Sequence, residues 1–165
     1  MNPRIETLPE MKLVGMRVQM NFLTNKTQGL WQRFMPRKKE ITSSVGNELY
    51  SIEIYPDLSY FDSFNPAKEF EKWAAIKVSD LKTIPEEMEK LIIPAGLYAA
   101  FPFKGSDSEA PKMYQNILES WIPQSIYELD HRPHFALMGD NYKNNDPNSE
   151  EDFWFPIKPK SEDKK

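Results

Sequence analysis

The sequence predicts an α+β fold: duplicated βαββ units forming one antiparallel sheet, helices on one face, and a ligand cleft between the halves. Three observations point there. Apolar residues alternate with period two in several segments and recur at helical spacing in two others. The order strand, helix, strand, strand occurs twice. Finally, Leu30-Trp31-x-x-Phe34-Met35-Pro36 parallels Ile117-Leu118-x-x-Trp121-Ile122-Pro123, two apolar pairs and a helix-ending proline in the same series.

The clearest strand covers residues 13–22, where Val14, Met16, Val18, Met20 and Phe22 alternate with Leu13, Gly15, Arg17, Gln19 and Asn21. Residues 27–35 follow as a short helix. Thr27 is placed to cap it, Leu30, Trp31 and Phe34 share a face, and Pro36 stops it. Strands are expected at 48–55 and 70–78, closing the first unit. The second opens with a long strand over 88–103, bent at Pro94–Gly96. A helix over 110–121 comes next, capped by Asp107 or Ser108, with Met113, Tyr114, Ile117, Leu118 and Trp121 facing inward. Short strands at 134–138 and 152–157 complete it. The expected layout is one stand-alone domain over 1–158, with pseudo-repeats at about 8–79 and 86–158 and a disordered charged tail at 159–165.

Composition excludes whole classes of function. The 165 residues include 21 Lys and Arg against 25 Asp and Glu, a formal charge of -4. An acidic chain lacks the basic face that phosphate neutralisation requires, so direct nucleic-acid binding is not expected. The basic run from Arg33 to Lys39 reads as a solvated helix end. With no cysteine, disulfides, thiolate catalysis and Cys-ligated metals are out. No signal peptide is evident, and no apolar run approaches the roughly 20 residues that span a bilayer. A cytoplasmic protein without membrane contact is the expectation.

Catalytic and cofactor motifs are also missing. The six glycines form neither a dinucleotide fingerprint nor a phosphate loop. Asp140 to Glu151 is rich in oxygen ligands but lacks the central glycine of a calcium loop, and reads as a solvated hairpin loop. His131 and His134 are the only histidines, and Pro133 prevents them from sharing a helical face. They read as loop and strand-start residues, with no metal and no haem, so no cofactor is expected.

An aromatic and carboxylate constellation remains. Read strand by strand, the face away from the helices carries Arg17 and Gln19, Glu53 and Tyr55, Trp73 and Lys77, Ala136 and Met138, and Trp154. Trp73 and Trp154 occupy comparable places near the last strands of the two units. A cleft walled by tryptophan and tyrosine with one acid inside suits a flat or cationic organic ligand.

Several motifs resemble the GyrI-like small-molecule-binding family, which is related to the effector-binding domains of Rob- and BmrR-type regulators. They are Ile93-Pro94-Ala95-Gly96-Leu97-Tyr98-Ala99-Ala100-Phe101, Glu119-Ser120-Trp121-Ile122-Pro123, Arg132-Pro133-His134-Phe135, Asp146-Pro147-Asn148-Ser149-Glu150 and Trp154-Phe155-Pro156-Ile157. Trp73-Ala74-Ala75-Ile76-Lys77-Val78 adds a match in the first half. The resemblance implies a duplicated βαββ fold with a ligand groove between the units. It also implies a glutamate after Phe135, reaching toward cationic ligands, and a tyrosine two residues later. This chain has Ala136 and Met138 there, which leaves Glu53 to supply the charge.

Three functions follow as expectations. The first is binding of a small organic ligand, sensed or sequestered, with any link to transcription running through a separate regulator. The second is hydrolysis of strained electrophilic compounds, with Glu53 as general base and Tyr55 assisting. The third is a protein-interaction role such as gyrase inhibition.

Overall fold

The computed structural model describes residues 2–61, 65–105, 109–138 and 150–161. In chain order its elements begin with β1 (Arg4–Leu8), β2 (Met11–Met20), α1 (Thr27–Phe34), β3 (Leu49–Ile54) and β4 (Phe70–Lys77). They continue with β5 (Glu89–Ile93), β6 (Gly96–Lys104), α2 (Ala110–Asn116), α3 (Ile122–Gln124), β7 (Tyr127–Leu129), β8 (His134–Met138) and β9 (Glu150–Pro159). A π turn over Ile117–Trp121 joins α2 to α3.

The strands form one sheet in the order β1-β6-β9-β8-β3-β4-β2-β5, with β7 paired to β9 off this path. Every pairing is antiparallel. The α+β class read from sequence is the one observed. The units β2-α1-β3-β4 and β6-α2-β8-β9 meet edge to edge through β3 and β8, with Leu49 opposite Met138 and Glu53 opposite His134. Each unit is completed by a strand that precedes the other. β1, just before β2, pairs with β6, while β5, just before β6, pairs with β2. This exchange covers two edges that would otherwise offer unpaired backbone groups.

Local chemistry explains most boundaries. In α1, Leu30 and Phe34 are buried against Val14, Met16, Ile76 and Val78. Burial of each such side chain contributes about 1.5–3 kcal/mol. Pro36 has no N–H for the α-helical ladder, and the chain tightens into a 3-10 segment over Met35–Glu40. Thr27 does not cap α1: Asn25 Oδ1 accepts the Thr27 N–H at 2.9 Å, and the Thr27 hydroxyl donates to Met20 Sδ at 3.6 Å. The expected long strand divides into β5 and β6, because Pro94 and Ala95 lie between them outside either ladder. The expected caps Asp107 and Ser108, and positions 140–149 of the expected hairpin loop, lie outside the described residues.

The two faces of the sheet pack differently. On one face, α1 and α2 each cover a separate apolar cluster. On the other, Leu13, Tyr50, Ile52, Trp73, Tyr98, Phe135 and Trp154 form one cluster whose buried members are all strand residues. Among the described residues, side chains of the strands themselves close this second face.

Candidate functional site

Register settles which residues share a face. Ile52 lies opposite Trp73, and Phe135 lies opposite Trp154 with the two rings stacked at 5.6 Å. Glu53 lies opposite both Lys72 and His134, while Ala136 lies opposite Phe153 and Ser51. The eight expected site residues therefore divide. Trp73 and Trp154 belong to the closed face, at 3% and 6% exposure, with Arg17 and Gln19 on its exposed rim. Glu53, Tyr55, Ala136 and Met138 belong to the helix face. The expectation of a single ligand face is corrected accordingly. Period two fixes alternation within a strand, but the phase between strands depends on pairing register.

On the helix face the apolar clusters beneath α1 and α2 flank a strip of different chemistry. Ser51, Lys72 and His134, the buried polar residues among those described, all lie on it. One cross-strand row runs Val18, Lys72, Glu53, His134. The row beside it runs Ala74, Ser51, Ala136, all small. Lys72 Nζ donates to Glu53 Oε1 at 3.1 Å, with side-chain exposures of 10% and 14%.

Three polar atoms here are buried without a hydrogen-bond partner: Glu53 Oε2, Tyr114 Oη and His134 Nδ1. Burial holds the His134 imidazole down to about 3, helped by the charges of Arg132 and His131, so the ring is neutral. Burial and then the Glu53 charge push the Tyr55 and Tyr114 phenols well up. Tyr55 meets the His134 ring at 5.0 Å, and Phe155 lies 5.3 Å from His134 and 4.8 Å from Tyr114. A small cleft opens at this end of the strip, lined by Tyr55, Asp57, Phe61, His131, Arg132 and His134 among others.

A second trio of unpartnered polar atoms, Tyr98 Oη, Trp154 Nε1 and Arg132 Nη1, belongs with the closed face. Arg132 lies 4.6 Å over the Tyr98 ring and donates to Leu97 O and Ile157 O. A Cβ at Gly96 would overlap this guanidinium. The Pro-Ala-Gly and Arg-Pro-His segments thus meet in space as packing partners. Tyr98 and Trp154 do not line the cleft, and the helix-face strip is the better site.

Sequence reasoning missed Lys72 and Tyr114 as site residues and set His134 aside. Lys72 alternates with Trp73 on the strand, so the parity that placed Trp73 in the site removed Lys72. Tyr114 was legible as an inward helix residue, but its phenol finds no partner there, and only the fold shows that. Among the described residues no group of His, Asp and Glu could hold a metal ion, and no helix is long and apolar enough to cross a membrane.

A family model described as the GyrI-like small molecule binding domain matches residues 1–158. The transcriptional regulator BrlR of Pseudomonas aeruginosa is 28% identical over 159 residues, covering 95% of this chain and 56% of BrlR. The chain thus spans just over half the length of that regulator. The structure of SAV2435 bound to tetraphenylphosphonium superposes with a TM-score of 0.71 at 17% identity, covering 96% of this chain and 94% of the other. A hydrolase from Listeria innocua superposes with a TM-score of 0.58 at 13% identity, covering 95% and 92%. These two structural likenesses are likenesses of fold.

Proposed function

Because this chain belongs to the GyrI-like family of small molecule binding domains, we propose that it binds an aromatic, amphipathic organic molecule on the strip between its two helices. The observation that carries this reading is the concentration of buried polar chemistry there. Most buried polar atoms in folded proteins are paired. Here an acid oxygen, a phenol and an imidazole nitrogen are left open beside small residues and next to a cleft. Aromatic rings of the ligand would lie against Tyr55, Phe155 and Tyr114, and its polar group would meet Glu53, Tyr114 and His134. Ala136 and Met138 would form apolar floor. Trp73 and Trp154 have no part in contact, since reaching them means unpacking the closed face. Occupancy would be read by a separate regulator acting with the domain.

Calorimetric titration with a panel of triaryl compounds tests the reading. Ala136→Trp fills the strip and is expected to abolish saturable binding, while Trp154→Phe leaves it within about threefold. The reverse pattern would move the site to the closed face.

Hydrolysis is the second reading, and Glu53 Oε2, unpartnered beside two tyrosines, is the observation that favours it. Product analysis on any bound electrophile, with Glu53→Gln as comparison, decides this. Turnover absent in the native protein, or unchanged in the variant, excludes Glu53 catalysis.

A further inference from the structure

Two cross-strand pairs occupy equivalent places in the two halves. Matching Glu71-Lys72-Trp73 to Asp152-Phe153-Trp154 sets Glu53–Lys72, paired across β3 and β4, against Ala136–Phe153, paired across β8 and β9. The second pair is apolar. The first is an ion pair at 3.1 Å whose side chains are 10% and 14% exposed. The titratable groups set against Glu53 are Lys72 from β4, His134 from β8, Tyr114 from α2 and neighbouring Tyr55. The imidazole and both phenols are neutral, so Lys72 is the full positive charge among these four.

We infer that Lys72 is a specificity-determining residue: it holds the place a cationic ligand would take beside Glu53, and the strip selects uncharged aromatic ligands bearing a hydrogen-bonding oxygen. This inference rests on the proposed binding site. A permanent cation brought to Glu53 would meet the ammonium already on Oε1, where partial burial keeps water and salt from screening like charges. Swinging Lys72 aside would break the pair and expose a strand-held side chain. An uncharged acceptor meets no such opposition. An ammonium offers three donors, and one is engaged with Glu53, so a ligand oxygen can accept another. A ligand donor can reach Glu53 Oε2.

Tetraphenylphosphonium and triphenylphosphine oxide are a matched test, since both carry aryl rings on phosphorus and differ in charge. Titration of the whole chain is expected to show the oxide binding at least tenfold more tightly than the phosphonium. Lys72→Met should raise phosphonium affinity at least tenfold, Lys72→Arg should preserve the discrimination, and adding Glu53→Gln to Lys72→Met should cancel the gain. If Lys72→Met does not fold, as judged by circular dichroism, the double variant still decides: its two affinities should fall within about threefold. Native protein binding the phosphonium as tightly as the oxide would overturn the inference, as would an unchanged ratio in the variants. No binding of either compound to any form sinks the binding site itself, an outcome distinct from binding without discrimination.

Discussion

Where the first half of the sheet sets Glu53 against Lys72, the second half sets Ala136 against Phe153, at the equivalent place in its own unit and on the same face. Both pairs are buried or nearly so, and the strands around them pair in the same pattern, but only Ala136 and Phe153 belong to a helix-covered apolar cluster. The apolar pair shows that this architecture does not require a charge at that point. Buried ion pairs recover their desolvation cost only with good geometry, and apolar replacements of similar volume are often as stable. The fold therefore does not require the ion pair in the first half, which leaves it available for the ligand role proposed above.

The largest effect should come from breaking the pair one-sidedly. Lys72→Met leaves Glu53 buried without compensation and is expected to cost about 3–5 kcal/mol in urea denaturation. Copying the second half into the first, with Glu53→Ala and Lys72→Phe together, should recover most of that loss. If the double variant is as unstable as the single one, the halves are not interchangeable and the pair is structural.

His134 sharpens the comparison, because it stands opposite Glu53 yet stays uncharged. Its pKa is depressed from the usual value to about 3, so the unfolded chain takes up this proton at a higher pH than the folded one. The stability it confers is complete above about pH 6.5 and is lost as pH falls toward 3, by at most about 1.4 kcal/mol per pH unit. His134→Phe should flatten the denaturation midpoint between pH 6.5 and 4.5. Equal slopes in both proteins would mean that the imidazole is charged in the fold and competes with Lys72 for Glu53.

Glycines separate the halves at the level of backbone. A Cβ on Gly15 would overlap Ala74 O and the Ala75 Cα across the β2–β4 ladder, whereas one on Gly96 meets a side-chain end, the Arg132 guanidinium, rather than backbone. Gly15→Ala is expected to cost about 1–3 kcal/mol, more than Gly96→Ala, by thermal or chemical denaturation. A larger loss at Gly96 would make the Arg132 plug, rather than the β2–β4 approach, the tighter joint.

These contrasts also show what the sequence could carry. Strand and helix order was legible because Val14, Met16 and Val18, or Leu30 and Phe34, announce their periods without reference to anything distant. β1 and β7 were not: Arg4–Leu8 is largely exposed and lacks an apolar face, and Tyr127–Leu129 is three residues long. The site proposed above was half legible. Glu53 and Tyr55 were found as an acid and an aromatic on one strand, and their neighbours were misassigned because cross-strand phase is a property of the assembled sheet. The equivalence of Trp73 and Trp154 was readable, but not that both turn away from the acid.

The smallest expected effects concern those two tryptophans and their arginines. Trp73 Nε1 donates to Glu71 at 2.5 Å, and Arg17 bridges Glu71 and Glu89 at 3.6 and 2.6 Å. In the second half Arg4 reaches Asp152 at 3.1 Å and lies 5.8 Å over the Trp154 ring, whose Nε1 has no partner. Both arginines are about half exposed, so Arg4→Ala and Arg17→Ala should each cost under about 1 kcal/mol. Salt should tell them apart. The Arg17 contacts, an exposed charge-assisted hydrogen bond to Glu89 and an ion pair with Glu71, should be largely screened in 1 M salt. Arg4 keeps its aryl contact, which depends on close packing over the ring as well as on charge, so part of its contribution should persist. Equal salt sensitivity in the two variants would show that the aryl contact contributes nothing to stability, and that the rim of the closed face is ionic in both halves.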